Sequence, residues 1–282
     1  MHNATRQSLN KESYSQNLLS VISEYFSKEK QCCIFLDVDG TLSEFHIDPL
    51  KSFIPKTTLC TLRQLKDLDI PVIAITGRSV QVASHLFSPL QLPIAGTHGL
   101  EIHMQPFGKL NADINKAHIA LIQQDTQKTC LPYPQLLIEN KDYSVAIHYR
   151  QYPEMAEIAK KIAHDIQSRH SEFKINEGKY VFELIPVAAD KGQAIQKILN
   201  HLNFTNVLPI FIGDDKTDES GFEVVNHYHG ISIKVGEEET EACYRLKNVA
   251  DVANFLDLFL QFFKTHFSRH SEVSHGEKAC LN

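Results

Sequence analysis

Three apolar runs in the chain stop abruptly at polar groups: CCIFL before Asp37, IPVIAI before Thr76, and VLPIFI before Gly213 and Asp214. None alternates polar with apolar residues, so each reads as a strand covered on both faces. Stretches with helical spacing separate them, near Lys56 to Leu68, in GRSVQVASHLF and in DKGQAIQKILNHL. A further strand in LPIAGTHGLEIH runs into a Gly-bounded turn. Doubly covered strands with helices between them define a parallel α/β sheet. In such a sheet ligands bind beyond the carboxyl ends of the strands, where Asp37, Thr76 and Asp214 fall.

The middle of the chain follows another pattern. Strands such as YSVAIHYR and KYVFELIP alternate polar and apolar residues, with a helix expected near Pro153 to His170 between them. Alternation implies an antiparallel sheet with one wet face. Residues 106–186 are therefore expected to form a smaller α+β domain inserted into a core made of residues 31–105 and 187–267. Leu18, Leu19, Ile22, Tyr25 and Phe26 recur at helical spacing, which makes residues 1–30 a helical extension. The polar, aperiodic stretch SRHSEVSHGEKACLN, residues 268–282, is expected to be a disordered tail.

Charge and composition narrow the partners. A net charge of −6 with both signs interspersed and no Lys/Arg-rich block argues against nucleic acid or an anionic membrane. The most apolar late run, FLDLFLQFF, is short and interrupted by Asp257 and Gln261, and the N-terminus lacks the apolar core of a secretion signal, so no membrane segment is expected. Six cysteines without C-x-x-C spacing, two of them in a core strand, point to reduced thiols and the cytoplasm. Fifteen histidines form no H-E-x-x-H cluster and are expected mostly at the surface. The expected ligand is a small molecule and the expected state a monomer.

Three strand ends deliver one constellation. Asp37 and Asp39 come from the first, Thr76 from the second, and Asp214, Asp215 and Asp218 from GDDKTDE on the third. Taken alone, DVDGT is also compatible with a turn in which Asp and Thr cap the next segment. Five carboxylates meeting without a cation would repel one another at high cost, and oxygen-only ligation favours Mg²⁺. Lys191 at a helix start and the Thr76 hydroxyl add a cradle suited to phosphate. The chemistry implied is phosphoryl transfer with the Asp37 carboxylate as the attacking group.

DVDGT, the Thr of ITGRS, the Lys of DKG and GDDKTDE stand in an order that resembles the haloacid dehalogenase-like phosphatases. The resemblance spans Cys32 to about Leu260. It implies a Rossmann-like parallel-sheet hydrolase core with an inserted α+β cap. It also implies Asp37 as the nucleophile that becomes an aspartyl phosphate and Asp39 as general acid and base. Mg²⁺ would be held by Asp37, Asp214 and the Asp39 backbone carbonyl. Thr76, Gly77 and Lys191 would bind phosphate, and Asp215 and Asp218 would steady metal waters or Lys191. Gly40 would permit the close backbone turn that packs the site.

A finer resemblance is to trehalose-6-phosphate phosphatases, carried by GDDKTDESGF, GTHGLE, AIHYR and GKYVFE. It implies sugar contacts from Lys179 and Glu183, with Glu101, Glu139, Lys141 and Arg150 assisting. A Lys and a Glu four positions apart on one strand face suit a polyol, and equally suit a same-face ion pair. His98 and His148 are expected to be structural, and Ile185 stands where the family often has a basic residue. Rival readings are a capped phosphatase for sucrose phosphate or a glycosyl-glycerate phosphate, a phosphomutase, a non-enzymatic phosphorelay receiver and a phosphosugar-binding pseudoenzyme. The receiver needs no inserted domain, and the pseudoenzyme should lack Asp37 or Asp39.

Overall fold

The computed structural model describes residues 18, 20–23, 31–46, 51–104, 108–110, 112, 114–178, 180–202 and 207–276, with the backbone alone from residue 266 onward. The chain divides into two compact units, with breaks between Leu110 and Asn111 and between Asp190 and Lys191. The sequence placed these breaks about five and about four residues earlier, and the first differs because the short strand Gly108–Lys109 extends the core sheet.

The first unit is built on β1 (Gln31–Leu36), β2 (Val72–Ile75), β3 (Ile94–Gly96), β4 (Glu101–Met104), β5 (Gly108–Lys109), β10 (Val207–Gly213), β11 (Ile231–Val235) and β12 (Tyr244–Leu246). They form one sheet in the order β12-β11-β10-β1-β2-β3-β4-β5. All neighbours from β12 to β3 pair in parallel, while β4 and β5 add an antiparallel edge. Helices α1 (Lys56–Asp67), α2 (Val80–Phe87), α5 (Lys191–His201), α6 (Glu219–His227) and α7 (Val249–Gly276) complete this α/β unit.

Burial on both faces explains the unbroken apolar runs. Ile34 and Leu36 of β1 pack with Ile210, Ile212, Phe255 and Phe259 on one side. Cys33 and Phe35 pack with Phe211, Ile195 and Phe222 on the other. Each such side chain contributes about 1.5–3 kcal/mol of burial, and truncating Phe35 to Ala would cost about 3–5 kcal/mol. Of the N-terminal extension, Leu18 and residues 20–23 are described as helical, and Leu18 and Ile22 are buried in the first cluster; the remainder of residues 1–30 lies outside the described residues. Helix α7 continues to Gly276, where a disordered tail was expected from residue 268. Polar composition hid this: Ser268 to His275 contains neither Gly nor Pro, so no helix breaker stands before Gly276.

The second unit holds β6 (Leu137–Asn140), β7 (Val145–His148), β8 (Phe173–Gly178) and β9 (Val181–Pro186) in the antiparallel order β6-β7-β9-β8, with helices α3 (Lys116–Cys130) and α4 (Ala156–Arg169). Val145, Ile147, Phe182 and Leu184 pack with Ile122, Ile162 and Ile166 of the helices. The alternate positions form the other face, and pairing register aligns Glu139, Ala146, Glu183 and Asn176 across all four strands.

Candidate active site

Register brings the polar strand ends of the core together. Leu36 pairs with Ile212 on one side and Ala74 on the other, so Asp37, Asp214 and Thr76 follow at the same edge of the sheet. The Lys191 ammonium, at the start of α5, donates to Asp37 Oδ1 and to Asp218 Oδ1, each at 2.7 Å. These groups are deeply enclosed: Asp37 is 4% exposed, Lys191 3% and Asp218 0%. Asp218 is fully occupied, because its second oxygen accepts from the backbone amides of Asp214 at 3.0 Å and Asp215 at 2.9 Å.

Burial pushes the Asp37 carboxyl well above the usual carboxylate range; Lys191 opposes that rise, while Asp218 and Asp214 add to it. Asp214 is pushed up to about 6, chiefly by burial and then by Asp218. Burial works against the charge of Lys191, but the Asp218 and Asp37 carboxylates outweigh it and raise its pKa. One lysine is therefore shared among three crowded acids, and Asp37 and Asp214 hold their protons more tightly than free carboxylates do.

The same crowding fits a hard divalent cation. Carboxylate oxygens from Asp37, Asp214 and Asp218 lie within 4.8 Å of one another. Gly40, at φ +82°, carries the chain around the cluster, and a Cβ there would stand 2.0 Å from Asp214 Oδ2. Only glycine permits that approach of backbone to carboxylate. Thr41 Oγ1 adds a long contact of 3.4 Å to Asp214 Oδ1. An all-oxygen, net-negative donor set of this kind matches Mg²⁺ rather than zinc or a soft metal.

Asp39 turns to another partner. Arg78 grips it with two bonds of 2.6 Å, Nε to Oδ2 and an Nη to Oδ1, and gives a further 2.9 Å bond to Ser52 Oγ. The Asp39 hydrogen bond raises the Arg78 pKa, so this cation is permanent. Arg78 was missed in the sequence, although it follows directly on Thr76 and Gly77 at a strand end. Its backbone amide donates to Thr76 Oγ1 at 3.1 Å, which folds the strand end into a tight turn around the buried threonine. The His98 imidazole lies across Gly77, 2.7 Å from where a Cβ would be.

Three further core residues make contacts that shape the site. Asp215 is exposed and caps the turn at Lys216–Asp218, accepting from the Lys216 amide at 2.6 Å. Glu101 Oε2 accepts from the Val80 amide and from Thr97 Oγ1, each at 3.3 Å, so it ties the start of α2 to the turn before β4. Lys234, which the sequence reading passed over, is 2% exposed and donates to the Asp214 carbonyl. A single lysine inside the apolar run ISIKV was the signal available for it.

The remaining candidates belong to the second unit and are considered within it. Glu183 Oε1 accepts from Lys141 Nζ at 2.9 Å and Ser144 Oγ at 2.6 Å. Glu139 Oε2 lies 2.9 Å from His148 Nε2. Arg150 is exposed just beyond β7. Lys179 lies outside the described residues, and β9, which carries Glu183, begins at Val181; among the described residues Lys141 forms an ion pair with Glu183.

Comparison with known proteins agrees with this architecture. A model of the trehalose-phosphatase family matches residues 35–250. The trehalose-6-phosphate phosphatase of Escherichia coli (strain K12) is 34% identical over 234 residues, covering 79% of this chain and 85% of the relative. A probable trehalose-phosphate phosphatase of Sinorhizobium fredii is 34% identical over 205 residues, covering 72% and 77%. The C-terminal domain of a C. albicans trehalose-6-phosphate phosphatase has the same fold, with a TM-score of 0.73 at 21% identity over 92% of this chain and 99% of that one. The chain belongs to the trehalose-phosphatase family of phosphoric monoester hydrolases, with the haloacid dehalogenase-like core and a second, antiparallel-sheet unit.

Proposed function

We propose that the protein is a Mg²⁺-dependent phosphatase that hydrolyses trehalose 6-phosphate to trehalose and phosphate, by way of a phosphoryl group carried on Asp37. The observation that carries this reading is the Asp37 carboxylate, buried against Lys191 at 2.7 Å and crowded by Asp214 and Asp218. Mg²⁺ would be held by the Asp37 and Asp214 carboxylates and the Asp39 backbone carbonyl, and when bound would keep both acids ionised and screen the charge of the phosphate ester.

Asp37 supplies the nucleophilic oxygen, and Lys191 neutralises charge as the phosphoryl group approaches. Thr76 and Gly77 offer a hydroxyl and a backbone amide to the phosphate oxygens. Asp39 delivers a proton to the departing sugar oxygen, then takes one from the water that cleaves the aspartyl phosphate. Arg78 holds Asp39 in one rotamer by its planar two-bond grip, a positioning task that a lysine would fill poorly. Asp218 fixes Lys191, and Lys234 fixes the Asp214 backbone.

The sugar is read by the wet face of the second unit. Glu183, with Lys141 and Ser144 around it, and Glu139 with His148, offer acceptors and donors to hydroxyl groups. Lys179 and Arg150 complete the set proposed for this unit; Glu101, whose Oε2 holds the turn before β4, is proposed as an assisting sugar contact from the core unit. A relative named as a trehalose-6-phosphate phosphatase and another named as a probable trehalose-phosphate phosphatase favour this substrate over sucrose phosphate or glycosyl-glycerate phosphates. A monomer in the cytoplasm is the setting proposed, in keeping with five free cysteines among the described residues, three of them buried.

The test is phosphate release from trehalose 6-phosphate beside sucrose 6-phosphate, glucose 6-phosphate and mannose phosphates, with Mg²⁺ and with EDTA. Trehalose 6-phosphate should lead the panel in kcat/KM by about tenfold or more, EDTA should abolish turnover, and Glu183→Ala should erase the lead while sparing a small aryl phosphate. A different leading substrate, or full activity in EDTA, would overturn the proposal.

A further inference from the structure

Away from the carboxylate cluster, a cavity of about 910 Å³ opens in the core unit between α1 and the residues from His85 to Gln91. That volume suits a small organic molecule, for which sites of roughly 300–1,000 Å³ are usual. Phe53, Leu59, Leu86 and Leu90 give the cavity apolar walls. Phe53 is 70% exposed although its neighbour Ile54 is buried, so an aromatic ring stands in water at the rim.

The charge of the lining is one-sided. Lys56, Arg63 and Lys66 stand against a single acid of the lining, Asp67. Among the described residues, no carboxylate forms an ion pair with Lys56, Arg63 or Lys66. Apolar walls with unneutralised cations select a ligand that has both an apolar body and a negative charge.

One lining residue also reaches the catalytic edge. Ser52 borders the cavity, and its Oγ accepts the 2.9 Å bond from the same Arg78 guanidinium that grips Asp39. Ser52 precedes the exposed Phe53 in the chain, so a ligand that drew Phe53 inward would pull on the backbone that carries the Ser52 hydroxyl, one of the anchors of Arg78.

We propose that this cavity is a regulatory site for a small organic anion with an apolar body, and that its occupancy acts on Asp39 through Ser52 and Arg78. The phosphatase reading assigns the cavity no task, and neither half of the test below requires turnover.

The probe is anilinonaphthalene sulfonate, an aromatic body bearing one anionic group. Calorimetric titration of the full chain should give one saturable site. The double variant Lys56→Glu/Arg63→Glu should weaken it by about tenfold or more, and Leu59→Trp, which reshapes the apolar wall without changing its charge, should weaken it also. Hydrogen–deuterium exchange at saturation should slow over residues 51–67 and change over residues 76–80. Ser52→Ala should keep the affinity within about twofold, since it removes a hydroxyl and no charge, but lose the change over 76–80. Binding that does not saturate, equal affinity in the charge-reversed or Leu59→Trp variant, or unchanged exchange over 76–80 in the wild type would each overturn the proposal. Absence of phosphatase activity would instead overturn the proposed function and leave these results standing.

Discussion

Replacing Lys191 by Met keeps the length of the side chain but removes the cation that donates to Asp37 and Asp218 at 2.7 Å. Both acids are almost wholly enclosed, so water cannot take its place. Removing one partner of a buried ion pair costs about 3–5 kcal/mol, because the charge left behind loses its compensation. A surface pair would cost at most about 1 kcal/mol. The deficit should also depend on pH in a defined sense. Burial already raises the Asp37 pKa, and Lys191 is the group that opposes this. In Lys191→Met the rise is greater. An acid whose folded pKa exceeds its unfolded value is favoured by folding while protonated, and that support is lost as pH rises through the folded pKa. The deficit of the variant relative to wild type should therefore grow as pH rises above the ordinary carboxylate range and shrink as pH falls back into it. Urea unfolding in EDTA, with the slope of the transition held as a check on two-state behaviour, measures the difference. A deficit below about 1 kcal/mol, or one that does not change with pH, would mean that Lys191 is solvated in the folded protein and would refute the reasoning.

Two other perturbations follow from the same geometry. Arg78→Lys keeps the charge but loses the two-bond grip on Asp39, so kcat should fall roughly 10- to 100-fold with KM little changed; a rise in KM alone would mean that Arg78 binds substrate instead. Asp214 is pushed up from 3.8 to about 6, which destabilises the cation-free protein by about 3 kcal/mol above about pH 7, by about half as much near pH 5, and not at all well below about pH 4. In EDTA, Asp214→Asn should gain on wild type in unfolding free energy as pH rises, and saturating Mg²⁺ should reverse the order; parallel pH curves for the two proteins would contradict this.

What could be read from the sequence depended on whether a residue's partner lies nearby in the chain. Asp37, Thr76 and Asp214 were legible because each ends an apolar strand, and parallel pairing must bring such ends to one edge. Gly40 was legible beside them, although its obstruction by Asp214 is a contact across the sheet. Arg78 was not, since an arginine after a strand commonly faces solvent and nothing local names Asp39 as its partner. Lys234 was hidden likewise by its position in β11, where register with Gly213 alone brings it to the Asp214 carbonyl. In the second unit the wet face was legible from alternation, but the pairing of Glu183 with Lys141 crosses from the end of β6 to β9 and no spacing rule reaches it. The helical course of residues 268–276 was lost to composition, because polar residues without breakers fit either state.

The central claim, that Asp37 carries the phosphoryl group and Asp39 moves the protons, is tested most directly by rapid mixing of the Asp39→Asn variant with an activated aryl phosphate in saturating Mg²⁺. An aryl leaving group needs little protonation, so Asp37 should still be phosphorylated, whereas hydrolysis of the acyl phosphate lacks its base. The trace should show a burst of one phenol per active site followed by slow turnover, with acid-quenched protein carrying phosphate on the peptide that contains Asp37. Neither burst nor phosphopeptide in metal-saturated variant, or steady turnover at the wild-type rate, would contradict the account.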